Sequence, residues 1–101
     1  MRVLLNISIP NEPFNTLARE GRAGQVLGRI LEETAPEAVY FTAQNGSRGG
    51  VIVANIERAS DIPSLAEPWF LSFSAKVEFQ PAMTPDDLGE AGLDALGKKW
   101  G

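Results

Sequence analysis

Alternating apolar and polar residues at the beginning of the chain predict a first β-strand. From Arg2 to Ile9 every second residue is apolar, and Leu4, Asn6 and Ser8 fill the positions between. A period of two is typical of a strand that buries one face against a core. The residues predicted to face the core are Val3, Leu5, Ile7 and Ile9.

Two further apolar runs flank an Asn-Gly pair and predict a β-hairpin. One run extends from Val39 to Gln44, and the other from Val51 to Ile56. Asn45 and Gly46 tolerate the positive φ of a tight hairpin turn. The glycines that follow allow a bulge or a slightly longer loop. We therefore expect two neighbouring antiparallel strands here, with their register set by the turn.

A helix is predicted between the first strand and the hairpin, from Asn15 to Glu33, with Asn15 as its N-cap. Gly21, Gly24 and Gly28 are three and four residues apart, so on one continuous helix they would share a face. Because glycine allows close approach, we expect this face to pack tightly against a neighbouring element.

The second half of the chain predicts a helix, a strand and a last helix. Ser60 or Asp61 can cap a helix whose apolar stripe includes Trp69 and Phe70, and Pro68 predicts a kink or an end near Glu67. The alternating residues 73–80 predict a half-buried strand. Residues 84–87, Thr-Pro-Asp-Asp, are typical of a helix start with a capping threonine and acids in the first turn.

This order of elements predicts an α+β fold in one domain that spans residues 1–101. Strand, helix, strand, strand, helix, strand is the order of the ferredoxin-like βαββαβ fold. It gives a four-stranded antiparallel sheet with two helices on one face, and the C-terminal helix is an addition. A chain of 101 residues is long enough for one core and too short for two.

The other face of the sheet, which we call the open face, is predicted to lack a helical cover. Its mixed polar and apolar surface is typical of an association surface. The predicted residues of the open face are Leu4, Asn6, Ser8, Tyr40, Thr42, Gln44, Val51, Val53, Asn55, Lys76, Glu78 and Gln80.

Composition excludes several kinds of site. The chain has no cysteine and no histidine, which removes thiolate chemistry and the commonest metal ligand and general base. Two adjacent acids in the last helix are explained by capping, so we expect no metal site and no cofactor. A net charge of -4 with scattered basic residues argues against nucleic acid, and no apolar run is long enough for a membrane span. With no signal-peptide core, a cytoplasmic location is expected.

Several segments of the chain resemble a known group. The glycine-led third strand Gly49 to Glu57, Trp69, and Val77-Glu78-Phe79-Gln80-Pro81 are similar to small domain-of-unknown-function proteins of the dimeric α+β barrel superfamily. The resemblance implies a homodimer whose two sheets pack face to face, with any ligand inside the barrel or beneath the helices. Haem-degrading relatives use an asparagine, a tryptophan and a histidine. This chain has counterparts of the first two, Asn6 and Trp69, but it has no histidine.

Two functional hypotheses follow for this fold. The first is a homodimer that binds a small, partly apolar molecule without assured catalysis. The second is a cofactor-independent monooxygenase or isomerase acting on an aromatic or polyketide-like substrate, with Glu78 as general base and Tyr40, Asn6 or Asn55 as hydrogen-bond donor. This second hypothesis requires Glu78, Tyr40 and Asn6 to converge within hydrogen-bond reach of one point. The residues predicted to contact a ligand are Asn6, Tyr40, Thr42, Asn55, Trp69, Lys76 and Glu78.

Two of these residues have structural interpretations as well. Lys76 and Glu78 can form an ion pair with each other or between subunits at a dimer rim, and such networks need no catalytic role. Trp69 has the helical spacing of a core residue and is also the kind of aromatic wall found in ligand pockets. The sequence therefore leaves the question of enzyme or binding protein open.

Overall fold

Four antiparallel strands form one sheet in the computed structural model, which describes residues 1–101. The strands are β1 (Arg2–Ile9), β2 (Ala38–Gln44), β3 (Ser47–Asn55) and β4 (Lys76–Pro81). Their order across the sheet is β2-β3-β1-β4, so β1 and β3 lie in the centre. The α+β class and the antiparallel four-stranded sheet are thus confirmed, and the strand order is consistent with a ferredoxin-like arrangement.

Strand β1 carries the centre of the hydrophobic core. The predicted bounds Arg2–Ile9 are confirmed, and its residues alternate strictly between buried and half-buried. The buried residues are Val3, Leu5, Ile7 and Ile9. Burial of these aliphatic side chains contributes about 2 kcal/mol each, relative to exposure, and fixes which face of the sheet meets the helices.

The hairpin turn consists of two residues, as the Asn-Gly pair predicts. Asn45 has φ 51° and Gly46 has φ 80°, and Gln44 pairs directly with Ser47. Residues 47–50 continue the strand and form no loop. A Cβ atom at Gly49 would overlap the backbone carbonyl oxygen of Ile7, so glycine is required where β3 passes this point of β1.

The predicted first helix is wrong as a single element. It is divided into α1 (Asn11–Arg19) and α2 (Ala23–Thr34). Between them Gly21 adopts φ +72°, a left-handed conformation that ends α1. Asn15 is not the N-cap. It lies inside α1, which begins after Pro10, and near this beginning the Glu12 carboxylate accepts hydrogen bonds from the backbone N–H and hydroxyl of Thr16.

The expected close packing at the three glycines is also wrong. Gly21 lies outside both helices, and Cβ atoms at Gly24 and Gly28 would meet no atom within 4 Å. The three glycines would share a face only on one continuous helix, and the break between α1 and α2 separates Gly21 from the other two. The two glycines of α2 instead lie beside open space on its exposed side.

Helix α3 (Ile62–Phe73) continues through Pro68, so the expected end near Glu67 is wrong. A proline removes its own N–H donor, but burial of Trp69 and Phe73 on the same helix outweighs this loss. Phe73 therefore belongs to the helix and not to the fourth strand, which begins only at Lys76. The sheet has three helices on its covered face, α1, α2 and α3, where two were predicted.

Asp61 precedes α3 and accepts hydrogen bonds from the backbone N–H groups of Glu57 and Arg58 at 3.0 and 3.2 Å. The bond from Glu57 first, and then that from Arg58, lowers the pKa of Asp61 from its ordinary 3.8. A carboxylate with a depressed pKa stabilises the fold above its unfolded pKa, and this contribution is lost as pH falls through the folded pKa.

We expect Asp61→Asn to lower the free energy of unfolding at pH 7, and the difference from wild type should shrink as pH falls below 3.8. Urea unfolding at a series of pH values measures it. Glu67→Gln, an exposed change on α3 outside these hydrogen bonds, is the matched control and should have little effect. An Asp61→Asn difference that is the same at every pH would contradict the prediction.

The C-terminal segment of residues 84–101, which we call the C-terminal arm, extends from the body. It contains two helices, α4 (Pro85–Glu90) and α5 (Leu93–Trp100), where one was predicted, because Gly92 adopts φ 71° between them. No residue in either helix is buried. The predicted cap is confirmed, because the Thr84 hydroxyl accepts from the Asp87 N–H at 3.1 Å. The molecule measures 59 × 28 × 19 Å with a radius of gyration of 17.0 Å, whereas a compact chain of this length has about 13 Å.

No helix in the structure combines the length and the apolar composition that a bilayer crossing requires.

Candidate functional site

The open face contains a straight row of residues, one from each strand. Tyr40 pairs with Val51, Val51 with Asn6, and Asn6 with Glu78. Because neighbouring strands are about 4.8 Å apart, Tyr40 lies roughly 10 Å from Asn6 and roughly 14 Å from Glu78 along this row. Asn6 and Glu78 are therefore neighbours, and Tyr40 does not converge with them on one point within a single chain.

Polar contacts on the open face hold the strands to each other. The Asn6 side-chain amide donates to Gln80 Oε1 at 2.8 Å. Lys76 and Glu78 are exposed, and neither takes part in the two ion pairs of the chain, which join Arg2 to Glu37 and Arg22 to Glu20. No cluster of three carboxylates has the arrangement of a metal site.

Asn55 belongs to a cluster at one end of the sheet. The Arg2 guanidinium donates to both carboxylate oxygens of Glu37, at 2.9 and 3.3 Å, and the Asn55 amide donates to one of them. The hydrogen bond to Glu37, and then the charge of Glu37, raise the pKa of Arg2 above its ordinary value. The cluster connects the first residue of β1 and the last residue of β3 with Glu37, which precedes β2. Asn55 therefore has a structural partner here.

Trp69 lies in the hydrophobic core. Its side chain is 1% exposed, and its ring centroid is 6.1 Å from that of Phe73. It borders neither the apolar cleft nor the wide groove described below. The position agrees with the core interpretation of its helical spacing.

An apolar cleft lies at the end of the sheet, where the helices do not reach over β2. Phe41 is 54% exposed there, although its strand position faces the helix side. The cleft has a volume of about 230 Å³. The residues that line it, which define the Arg48 cleft, are Ile9, Phe14, Leu27, Phe41, Thr42, Arg48 and Gly49.

Arg48 supplies the only charge of this cleft. Its guanidinium carbon lies 4.5 Å from the centroid of the Phe14 ring, and one of its N–H groups donates to Asn15 Oδ1 at 2.6 Å. A guanidinium over an aromatic face is attracted by the ring quadrupole. No carboxylate pairs with Arg48, so its remaining donors are available beside an apolar wall.

Phe14 connects the Arg48 cleft with the core. Its ring centroid is 5.2 Å from that of Phe73, which is fully buried, and the guanidinium of Arg48 lies against the same ring. Such aromatic pairs add about 1 kcal/mol beyond the area that they bury. The position of Arg48 therefore depends on the packing of α1 against α3.

Arg48 was missed as a site residue because residues 47–50 were assigned to the turn. In the structure Arg48 lies in β3, where it pairs with Ala43 and with the buried Ile9. Arg48 is a charged residue on the face of the sheet where β1 has aliphatic side chains, and this contrast could have identified it as a site residue. Thr42 is the one predicted ligand residue that borders this cleft.

A second cavity is a wide groove between α2 and α3, with a volume of about 1120 Å³. Only 3 of its 14 lining residues are hydrophobic, and it includes both acidic and basic side chains, such as Arg29, Glu33 and Glu67. Ligand pockets are mainly apolar with a few placed polar groups, which fits the Arg48 cleft better than this groove.

No model of a known protein family matches the chain, and no curated protein is similar to it in sequence.

Proposed function

We propose that this protein is a homodimer that binds a small apolar anion, such as an aromatic carboxylate, in the Arg48 cleft. The observation that carries the proposal is an unpaired guanidinium at the edge of an apolar cavity of about 230 Å³. No catalytic step is part of the proposal, and the earlier enzyme hypothesis lacks convergence of Tyr40 with Asn6 and Glu78 within one chain.

The chemistry of the cleft favours a carboxylate. Arginine presents its N–H donors in a planar fork that matches the two oxygens of a carboxylate. Its contacts with Phe14 and Asn15 hold the side chain in place. Arg48 therefore loses less conformational entropy when a ligand binds. Ile9, Leu27 and Phe41 offer an apolar surface beside the charge.

The size of the cleft limits the ligand. Drug-sized pockets occupy about 300–1,000 Å³, so a cavity of about 230 Å³ suits one or two aromatic rings. This agrees with a small, partly apolar molecule beneath the helices.

The dimer is proposed from the open face. Leu4, Val51 and Val53 are only half-buried there, and Tyr40 is 67% exposed. Packing two such faces against each other would remove this apolar area from water, which is the driving force of most protein association. A face-to-face pair of sheets is the arrangement of a dimeric α+β barrel.

We expect 2-naphthoate to bind the wild-type protein and Arg48→Met to weaken this binding about ten- to hundredfold, because hydrogen bonds to charged groups contribute about 1.5–3 kcal/mol. Isothermal titration calorimetry and the rise in melting temperature measure the binding. The neutral 2-naphthamide should bind both proteins with similar affinity, since it lacks the charge.

Arg29→Met is the matched control variant, because Arg29 is an exposed arginine in the groove between α2 and α3. It should bind 2-naphthoate as the wild type does. Equal naphthoate affinity in Arg48→Met and wild type would refute the proposed site, and so would equal losses in the two variants.

A further inference from the structure

We infer that the C-terminal arm docks on a second copy of this chain. The inference rests on the homodimer of the proposed function and adds to it the segment that completes the interface. The exposed apolar residues of the arm are Leu88, Leu93, Leu96 and Trp100. Trp100 is 76% exposed, and none of these side chains is covered by the body of its own chain.

The arm is too short to be stable on its own. Its helices have 6 and 8 residues, and isolated helices shorter than about 12 residues are marginal in water. Leu93, Leu96 and Trp100 have the i, i+3, i+7 spacing that places them on one side of α5. A helical pair with one apolar side needs a surface to cover that side.

The position of the arm indicates which surface this is. The backbone N–H of Ala82 still donates to the Arg2 carbonyl at 3.0 Å, so the arm begins where β4 leaves the edge of the sheet. The 59 Å length of the molecule shows that it extends beyond the body. An arm that begins at the edge of the sheet borders the open face, so it can reach a chain that packs there.

The open face is small for a dimer interface. Four strands about 4.8 Å apart and at least six residues long, at about 3.3 Å each, project onto a plane of about 400 Å². A stable interface buries about 800 Å² of accessible surface on each partner. Two exchanged arms, one from each chain, would add their apolar surface to this modest area.

The charge of the arm argues against a membrane as its partner. It has four acidic residues and two lysines, whereas helices that lie on anionic lipid are rich in lysine and arginine on the polar side. The charged residues are Asp86, Asp87, Glu90, Asp94, Lys98 and Lys99.

The test compares the full chain with a triple variant, Leu93→Ser, Leu96→Ser and Trp100→Ser. Light scattering over a range of concentrations should give twice the chain mass of 10.9 kDa for the wild type. The triple variant should self-associate about a hundredfold more weakly, because a few buried apolar anchors carry most of the binding energy of an interface. The matched control, Asp94→Ser with Lys98→Ser, changes another side of α5 and should assemble as the wild type does.

Tryptophan emission is the second readout. The chain has two tryptophans, and Trp69 is buried whether or not the chain assembles. A shift of emission to shorter wavelength as wild-type concentration rises therefore reports burial of Trp100. In the triple variant, unchanged Trp69 emission and a cooperative thermal transition show that the body remains folded.

Three results would overturn the inference: a monomeric wild type, a triple variant that assembles as tightly as the wild type, or arm-dependent binding of the wild type to phosphatidylcholine vesicles in place of self-association. A monomer that still binds 2-naphthoate through Arg48 would refute the arm and the dimer but retain the ligand site. A dimer that depends on the arm but does not bind 2-naphthoate would support the arm and refute the ligand site.

Discussion

Replacing Gly49 by alanine should lower the free energy of unfolding by about 3 kcal/mol, because the new Cβ would overlap the Ile7 carbonyl oxygen and the Gln44 side chain. The Ile7 oxygen belongs to the central strand and cannot rotate away as the end of a flexible side chain can. The two central strands would have to separate at this point, with loss of their hydrogen bonds. Urea unfolding at neutral pH measures the change.

Gly28→Ala is the matched control, since it makes the same chemical change where there is space. A Cβ at Gly28 meets no atom within 4 Å, and alanine is favoured over glycine in a helix interior by about 1 kcal/mol. We therefore expect Gly28→Ala to raise the free energy of unfolding. If both variants had the same stability, the register of β1 and β3 described above would be wrong.

Truncating Phe73 to alanine should lower the free energy of unfolding by about 4 kcal/mol. Its side chain is fully buried and packs against both Phe14 and Trp69. Removal leaves a cavity between α1 and α3, and the Phe14 ring, which Arg48 contacts, loses a neighbour. We expect weaker binding of 2-naphthoate as well, measured by calorimetry at a temperature where the variant is folded.

Leu71→Ala on the same helix serves as the control for Phe73→Ala. Leu71 is 83% exposed, so its truncation should change stability by less than about 0.5 kcal/mol and should not affect the ligand. Unchanged naphthoate affinity in a folded Phe73→Ala protein would show that the cleft does not depend on this aromatic contact.

Local patterns determined those parts of the fold that have a local cause. The alternation of β1, the Asn45-Gly46 turn and the Thr84 cap each depend on a few neighbouring residues, and all three are confirmed. The break at Gly21 also has a local cause, a glycine at positive φ, which the prediction of one continuous helix overlooked. The continuation of α3 through Pro68 does not have a local cause. It follows from tertiary packing, which a single sequence pattern does not contain.

The candidate site was harder to predict than the sheet. Arg48 could be assigned to a face only once β3 was known to continue without a bulge through Gly49 and Gly50, because alternation from the buried Ile52 then puts Arg48 beside Ile9. A one-residue bulge at these glycines would turn the side chain to the other face. Thr42 was predicted as a ligand residue from the open face, and it borders the cleft at the edge of the sheet.

Gly24 and Gly28 in α2 have a consequence for how a ligand enters the cleft. Both make their helix less stable than alanine would, and Leu27 between them forms part of the cleft wall. Proteins open locally at their least stable elements while the remaining core stays folded. Because the cleft is already open beside the exposed Phe41, local opening of α2 is not required for entry. We expect it to widen the cleft at Leu27 for a larger ligand, without global unfolding.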